Sequence, residues 1–225
     1  MSSDGRRHHE QTRIMLRPVG SGLPLGFFSF GIGMLLLGCQ AIDWIPVGEQ
    51  RDVGLLLASF VFPLELVATI FAFLARDTLG ATTLGLFTTS WLALGLSELT
   101  SPAGSTSVTL GIYLFGFATA VLLLALLSTM GKPFFSVLLA IAAARVVLSG
   151  AYEVGGGKTL FHLAGGCGIA LAALAMYGGT ALALEDAKQR ELLPLFRRGQ
   201  AEASFDGFEA QLERLEAEPG VRPQL

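Results

Sequence analysis

Six long apolar runs divide this chain, at approximately residues 23–42, 53–75, 79–96, 108–130, 134–152 and 160–184. A bilayer's hydrocarbon core is about 30 Å thick, so a helix needs roughly 20 apolar residues to cross it. Each run meets or approaches that length. The runs are continuous rather than alternating, which predicts helices and not the strands of a membrane barrel. The breaks carry turn chemistry or charge: Asp43-Trp44-Ile45-Pro46, Arg76-Asp77, Ser101-Pro102-Ala103-Gly104, Gly131-Lys132-Pro133 and Gly155-Gly156-Gly157-Lys158. Pro and Gly end helices there by removing a donor or loosening the backbone. The pattern predicts an all-α integral membrane protein with six transmembrane helices. It divides the chain into an N-terminal segment (1–20), a six-helix domain (21–185) and a C-terminal tail (186–225).

Basic residues set the expected orientation. Arg6, Arg7, Arg13, Arg17, Arg76, Lys132, Lys188, Arg190, Arg197 and Arg198 fall on one side, and only Arg51 and Lys158 on the other. By the positive-inside rule both termini are expected in the cytoplasm, with the protein multi-pass in the cell (inner) membrane. The basic opening leads into a long hydrophobic segment with no small-residue cleavage site near its end, so that segment reads as the first span.

Composition sharpens the same picture. The 225 residues are 52% hydrophobic and only 15% charged, with mean hydropathy +0.61, whereas soluble domains carry about a quarter charged residues. Charge crowds residues 1–17 and 185–222. A net charge of −3 and the lack of a basic face with interleaved aromatics exclude a nucleic-acid partner. Cys39 and Cys167 lie in apolar runs, where a structural role is expected. Abundant glycine in the spans, including Gly31, Gly33, Gly38, Gly165 and Gly168, predicts close helix packing. In the tail, Phe205, Phe208, Leu212 and Leu215 fall on one stripe of a charged segment, predicting a short amphipathic helix.

Two ionisable residues lie mid-span, Glu65 in the second and Arg145 in the fifth. Such charges cost from about 3 kcal/mol upward on insertion scales and face a bundle interior or wet cavity. Either they form an ion pair, or Arg145 offers a permeating anion a positive foothold that Glu65 tunes. The third span carries Thr82, Thr83, Thr88, Thr89 and Ser90, whose hydroxyls serve either their own helix backbone or a solute. Gly155–Thr159 mimics a phosphate loop, but Tyr152 stands where that pattern needs glycine. His162 reads as a helix-end hydrogen-bonding residue, and His8-His9 lacks partners at metal spacing. No nucleophilic triad is present and no cofactor is implied, so an enzyme is not expected.

Several motifs together resemble the acetate uptake transporters, also called succinate–acetate permeases. Ser21-Gly22-Leu23-Pro24-Leu25-Gly26-Phe27 with Phe30-Gly31 resembles their Asn-Pro-Ala-Pro-Leu-Gly-Leu signature. Asp77-Thr78-Leu79-Gly80 with Trp91 is similar to their Asn-Thr-Phe-Gly and following Trp, Gly111-Ile112-Tyr113 to Gly-Val-Tyr, and His162-Leu163-Ala164-Gly165 to His-Phe-Ala-Gly. Leu193-Pro194 after the last helix agrees as well, and the likeness covers roughly residues 20–195.

The resemblance implies a six-helix protomer with its own central pore, assembled as a homo-hexamer and passing small monocarboxylates, often with a proton. It places a pore constriction at Phe30, Phe87 and Ala142; taken with the mid-span charges and hydroxyls read above, the expected substrate contacts are Ser21, Pro24, Leu25, Gly26, Glu65, Thr88 and Arg145. The family's constriction has Tyr and Leu at the second and third of these positions, so a wider, drier opening is implied here. Glu65 stands where an amide is expected, and Arg145 where an apolar residue is. The function implied is a membrane channel or proton-coupled permease for acetate-like anions, with succinate as a larger candidate. Two alternatives are a channel for a small neutral solute (urea, an amide, ammonia or a gas) and an accessory membrane subunit.

Overall fold

The computed structural model describes residues 20–75, 77–188 and 192–197. Six helices long and apolar enough to cross a membrane account for most of them. They are α1 (Leu23–Ala41), a second span (Val47–Leu74) made of several pieces, α4 (Thr78–Thr100), α5 (Val108–Ser128), α6 (Pro133–Glu153) and α7 (Lys158–Lys188). The second span opens with a 3₁₀ turn (Val47–Glu49), then runs as α2 (Gln50–Leu56), a π-helical turn (Leu57–Val61) and α3 (Phe62–Leu74). Pro63 follows that π turn. A proline ring inside a helix removes a donor and displaces the preceding turn, and a π-bulge absorbs the mismatch.

The observed spans match the apolar runs and mostly extend beyond them. The extra residues are polar caps that hydropathy does not register. Asp77 Oδ1 accepts from Gly80 N at 3.0 Å to start α4, and Ser107 Oγ accepts from Leu110 N at 3.3 Å to start α5. Pro24 and Pro133 sit in the first turns of α1 and α6, where a missing N–H costs nothing. At 31 residues, α7 is about 46 Å long, so its Glu185, Asp186 and Lys188 end extends past a hydrocarbon core. Residues 192–197 fold back on it: the Tyr177 hydroxyl donates to Pro194 O at 3.0 Å, and Arg197 Nη1 to Glu185 Oε1 at 2.6 Å.

The helices form a ring. The most extensive contacts are those of α1 with α7 and of α5 with α6, and α7 also packs on α6; α4 packs on both parts of the second span, which returns to α1, while α4 and α5 touch only lightly. The burial pattern suits a lipid solvent. Leu122, Leu123, Leu126 and Leu127 of α5 and Ile70, Phe73 and Leu74 of α3 lie exposed on the outside, while Glu65, Thr69, Thr88, Ser90 and Arg145 are buried within. A soluble protein would invert that arrangement. The predicted tail helix at 200–217 and the basic residues Arg6, Arg7, Arg13, Arg17, Arg76, Arg190 and Arg198 lie outside the described residues.

Candidate functional site

At the middle of the ring four aromatic rings meet. Phe30 of α1 stands edge-on to Phe87 of α4, with centroids 5.0 Å apart and planes at 86°. Phe87 meets Phe117 of α5 in the same way, at 5.1 Å and 89°, and Phe30 approaches Trp91 at 5.9 Å. Edge-to-face pairing suits the ring quadrupoles. Ala142 of α6 is wholly buried in the same core. Phe30 and Phe87 thus share one aromatic cluster, built of rings from three helices, and Ala142 shares with them the wider hydrophobic core. Phe117 was not foreseen as a member. Its signal is its place between Leu114 and Val121, buried neighbours on one helical face of a span whose other faces are exposed.

The cluster is held in place by small residues. A Cβ on Gly33 would lie 2.8 Å from the Trp91 ring, so α1 and α4 approach this closely only because residue 33 has none. Gly26, one turn before Phe30, sits likewise against Leu84.

Polar groups flank the rings. The Trp91 indole N–H donates to Glu65 Oε2, which ties α4 to α3. Glu65 is wholly buried, and its Oε1 has no partner. One turn along, the Thr69 hydroxyl donates to the Glu65 carbonyl at 2.8 Å and lies 3.0 Å from the Thr88 hydroxyl. The proton of Thr69 is committed to the carbonyl, so Thr88 is the donor between the two.

Arg145 occupies a different seam. It lies against α7, where a Cβ on Gly168 would be 3.1 Å from Arg145 Nε and 3.1 Å from Gly38 Cα of α1. The guanidinium thus fits over a glycine between α6, α7 and α1. It is 6% exposed, and its Nε has no partner. Of the two arrangements open to these charges, the ion pair does not form: among the described residues no Glu65–Arg145 bridge is present, because the two side chains enter separate helix seams.

The remaining predicted positions mark the start of α1. Ser21 is exposed, with Oγ accepting from Leu23 N at 3.3 Å; Pro24 is half-buried; Leu25 faces outward; Gly26 is buried. None of the four joins the aromatic cluster, although Gly26 supports it from one turn away.

The motif residues have local duties in the fold. Asp77 caps α4 and holds Lys132 Nζ through both oxygens, at 2.9 and 2.8 Å, which joins the loop before α4 to the one before α6. Tyr113 stacks on Phe117 at 6.1 Å. His162 Nε2 lies 3.0 Å from Asp43 Oδ2, the helix-end role expected of it. Asp43 reaches it from a left-handed backbone position, φ 60°, which Asp tolerates better than most residues.

Known proteins give the same assignment. The fold is similar to the solved structure of the bacterial acetate channel SatP, with a TM-score of 0.69 at 20% identity, over 79% of this chain and 99% of that one. No curated protein matches the chain. The model of the GPR1/FUN34/yaaH family matches residues 5–194. The ring of six spans, the duties of the motif residues and this match bear out the resemblance to the acetate uptake transporters, and the chain belongs to the GPR1/FUN34/yaaH family.

Proposed function

We propose that this protein is a membrane channel or proton-coupled permease for small monocarboxylates such as acetate, with succinate as a larger candidate. The observation that carries the reading is the edge-to-face contact of Phe30 and Phe87 at the centre of the ring, in one core with Ala142. An aromatic constriction flanked by buried polar groups is a gate: apolar walls exclude water until a solute wets them. Arg145 is the anion foothold on this reading, Thr88 lines the path beside Phe87, and Ser21, Pro24, Leu25 and Gly26 form the rim at the start of α1. Family membership and the fold shared with an acetate channel support the assignment. The protein works as a transporter rather than an enzyme, in the inner membrane, with both termini cytoplasmic and as a homo-hexamer.

Proteoliposomes containing the purified protein are expected to take up labelled acetate faster than empty vesicles. Equal rates, with insertion and orientation confirmed, reject carboxylate transport. Glu65 supports a second reading, a neutral solute, since a carboxyl group with an open acceptor favours a cargo that donates hydrogen bonds. Urea flux without acetate flux selects it.

A further inference from the structure

The ring of helices closes unevenly. α5, α6, α7 and α1 pack on one another in succession, and α4 packs on both parts of the second span. That second unit is seated tightly on α1: a Cβ on Gly22 would lie 2.6 Å from the Ala68 carbonyl oxygen of α3, and one on Gly26 2.7 Å from the Leu84 side chain of α4. Its other edge differs. α4 touches α5 only lightly, and Phe87 meets Phe117 across that seam. The aromatic cluster therefore straddles the weakest joint between neighbours in the ring.

The two ends of this joint are fastened by different means. Where α4 ends and α5 begins, the chain itself runs across, through residues 101–107. Gly104 N there donates to Gln50 Oε1 at 2.9 Å, and Ser107 N to Glu153 Oε2 at 2.7 Å. At the opposite end, where α4 and α6 begin, side chains supply the tie: Lys132 Nζ donates to both oxygens of Asp77, at 2.9 and 2.8 Å. Lys132 precedes α6, which packs extensively on α5, so the pair draws the edge of α4 toward both. Asp77 Oδ1 also caps α4. A neutral asparagine would cap it equally well, so the charge at 77 adds a tie that the cap does not require. The side chains of Lys132 and Asp77 are 33% and 22% exposed. An ion pair in contact with water is weak enough to open and reform.

We propose that Asp77 and Lys132 are the latch of the aromatic gate. Closed, the pair holds α4 against α5 and α6, and with it Phe87 against Phe117. Open, it frees the unit of α3 and α4 to swing on α1, which parts the two rings. The latch rests on the reading of the cluster as a gate on the path of small carboxylates.

The test uses the full chain in proteoliposomes, with labelled acetate and matched protein content. Lys132→Met removes the tie and leaves the Asp77 cap; Asp77→Asn keeps a capping oxygen and loses the charge. Each is expected to raise acetate flux about two- to fivefold, the range set by a partly exposed ion pair. The double variant should rise no further, because both changes break one contact. Lys132→Arg keeps the charge and should rise less than Lys132→Met. A purely structural tie predicts lower heat stability with flux unchanged, and that result overturns the inference, as do increases that multiply in the double variant. A second arm locks the latch covalently. Asp77→Cys with Lys132→Cys, in a chain whose two native cysteines are removed by Cys39→Ala and Cys167→Ala, is bridged by a short thiol cross-linker that a reductant cleaves. Flux is expected to fall on bridging and to return on reduction. Flux indifferent to the bridge overturns the inference and leaves the carboxylate reading standing. Acetate flux in neither the wild-type chain nor any variant rejects both.

Discussion

The indole N–H of Trp91 donates to Glu65 Oε2 while the ring presses on Gly33 and stands 5.9 Å from Phe30. One side chain thus orients the buried carboxyl group, sets the distance between α1 and α4, and braces the constriction. The polar and apolar parts of the site are mechanically one unit, so changes to either should register in both stability and flux.

Trp91→Phe separates these duties. Phenylalanine keeps an aromatic body but has no donor, which leaves both Glu65 oxygens unpartnered in the bundle. A buried polar group without its partner costs about 1–3 kcal/mol, more when charged. The variant is expected to lose thermal stability in detergent, followed by size-exclusion after heating. Adding Glu65→Leu should recover much of the loss, because the orphaned carboxyl group is then gone. Additive losses in the double variant would show that the hydrogen bond is not the coupling.

Gly33→Ala probes the close approach instead. The new methyl group would lie 2.8 Å from the Trp91 ring, so the ring or the helix must move. Overpacking of this kind costs about 1–3 kcal/mol. Displacement of Trp91 should also shift its fluorescence and slow solute flux. Gly166→Ala on α7 is the control, since its added Cβ meets nothing within 4 Å and should change neither reading. Equal behaviour of the two variants would refute the claim that Gly33 sets the spacing.

Much of this was legible in the sequence, for identifiable reasons. Lipid demands long apolar runs, so hydropathy alone locates six spans, and it misses only caps such as Asp77 and the π turn before Pro63, which depend on local hydrogen bonding. Phe30 and Phe87 came from motif resemblance, and their contact follows from the fold. Phe117 and the Trp91–Glu65 bond did not. Glu65 and Trp91 are 26 residues apart on different helices, and helical periodicity states which face a residue occupies but not which neighbour that face meets. For the same reason the sequence leaves open whether Glu65 and Arg145 pair. Opposite charges at similar depth look like partners along a sequence, whereas the ring sends one to the α3–α4 seam and the other over Gly168.

Arg145→Leu tests the anion foothold. Leucine fills the volume over Gly168 and suits the apolar seam, so expression and assembly are expected to hold, or to improve once a buried unpaired charge is removed. Acetate flux should fall to the level of empty vesicles. Arg145→Lys should restore it only partly, because a single ammonium lacks the planar fork that a carboxylate engages with two bonds. Wild-type flux in the leucine variant, with protein content matched, removes Arg145 from the path.

Phe87 stands between Phe30 and Phe117, edge-on to both, so it decides whether the aromatic cluster is a gate or only packing. Phe87→Leu withdraws ring volume from between Phe30 and Phe117 while keeping an apolar wall. If the cluster is a dry gate, a shorter side chain lowers the barrier to wetting. Acetate flux should then rise severalfold, and succinate, the bulkier dianion, should gain more than acetate does. A cluster that only packs the core predicts another outcome: a stability loss of about 1–3 kcal/mol, within the usual range for core changes, with the succinate-to-acetate ratio unmoved. Measuring both fluxes and the heat stability of the same preparation separates the two. A fixed ratio in a folded variant would mean that passage is controlled elsewhere, at the rim beside Ser21 and Leu25 or at Arg145.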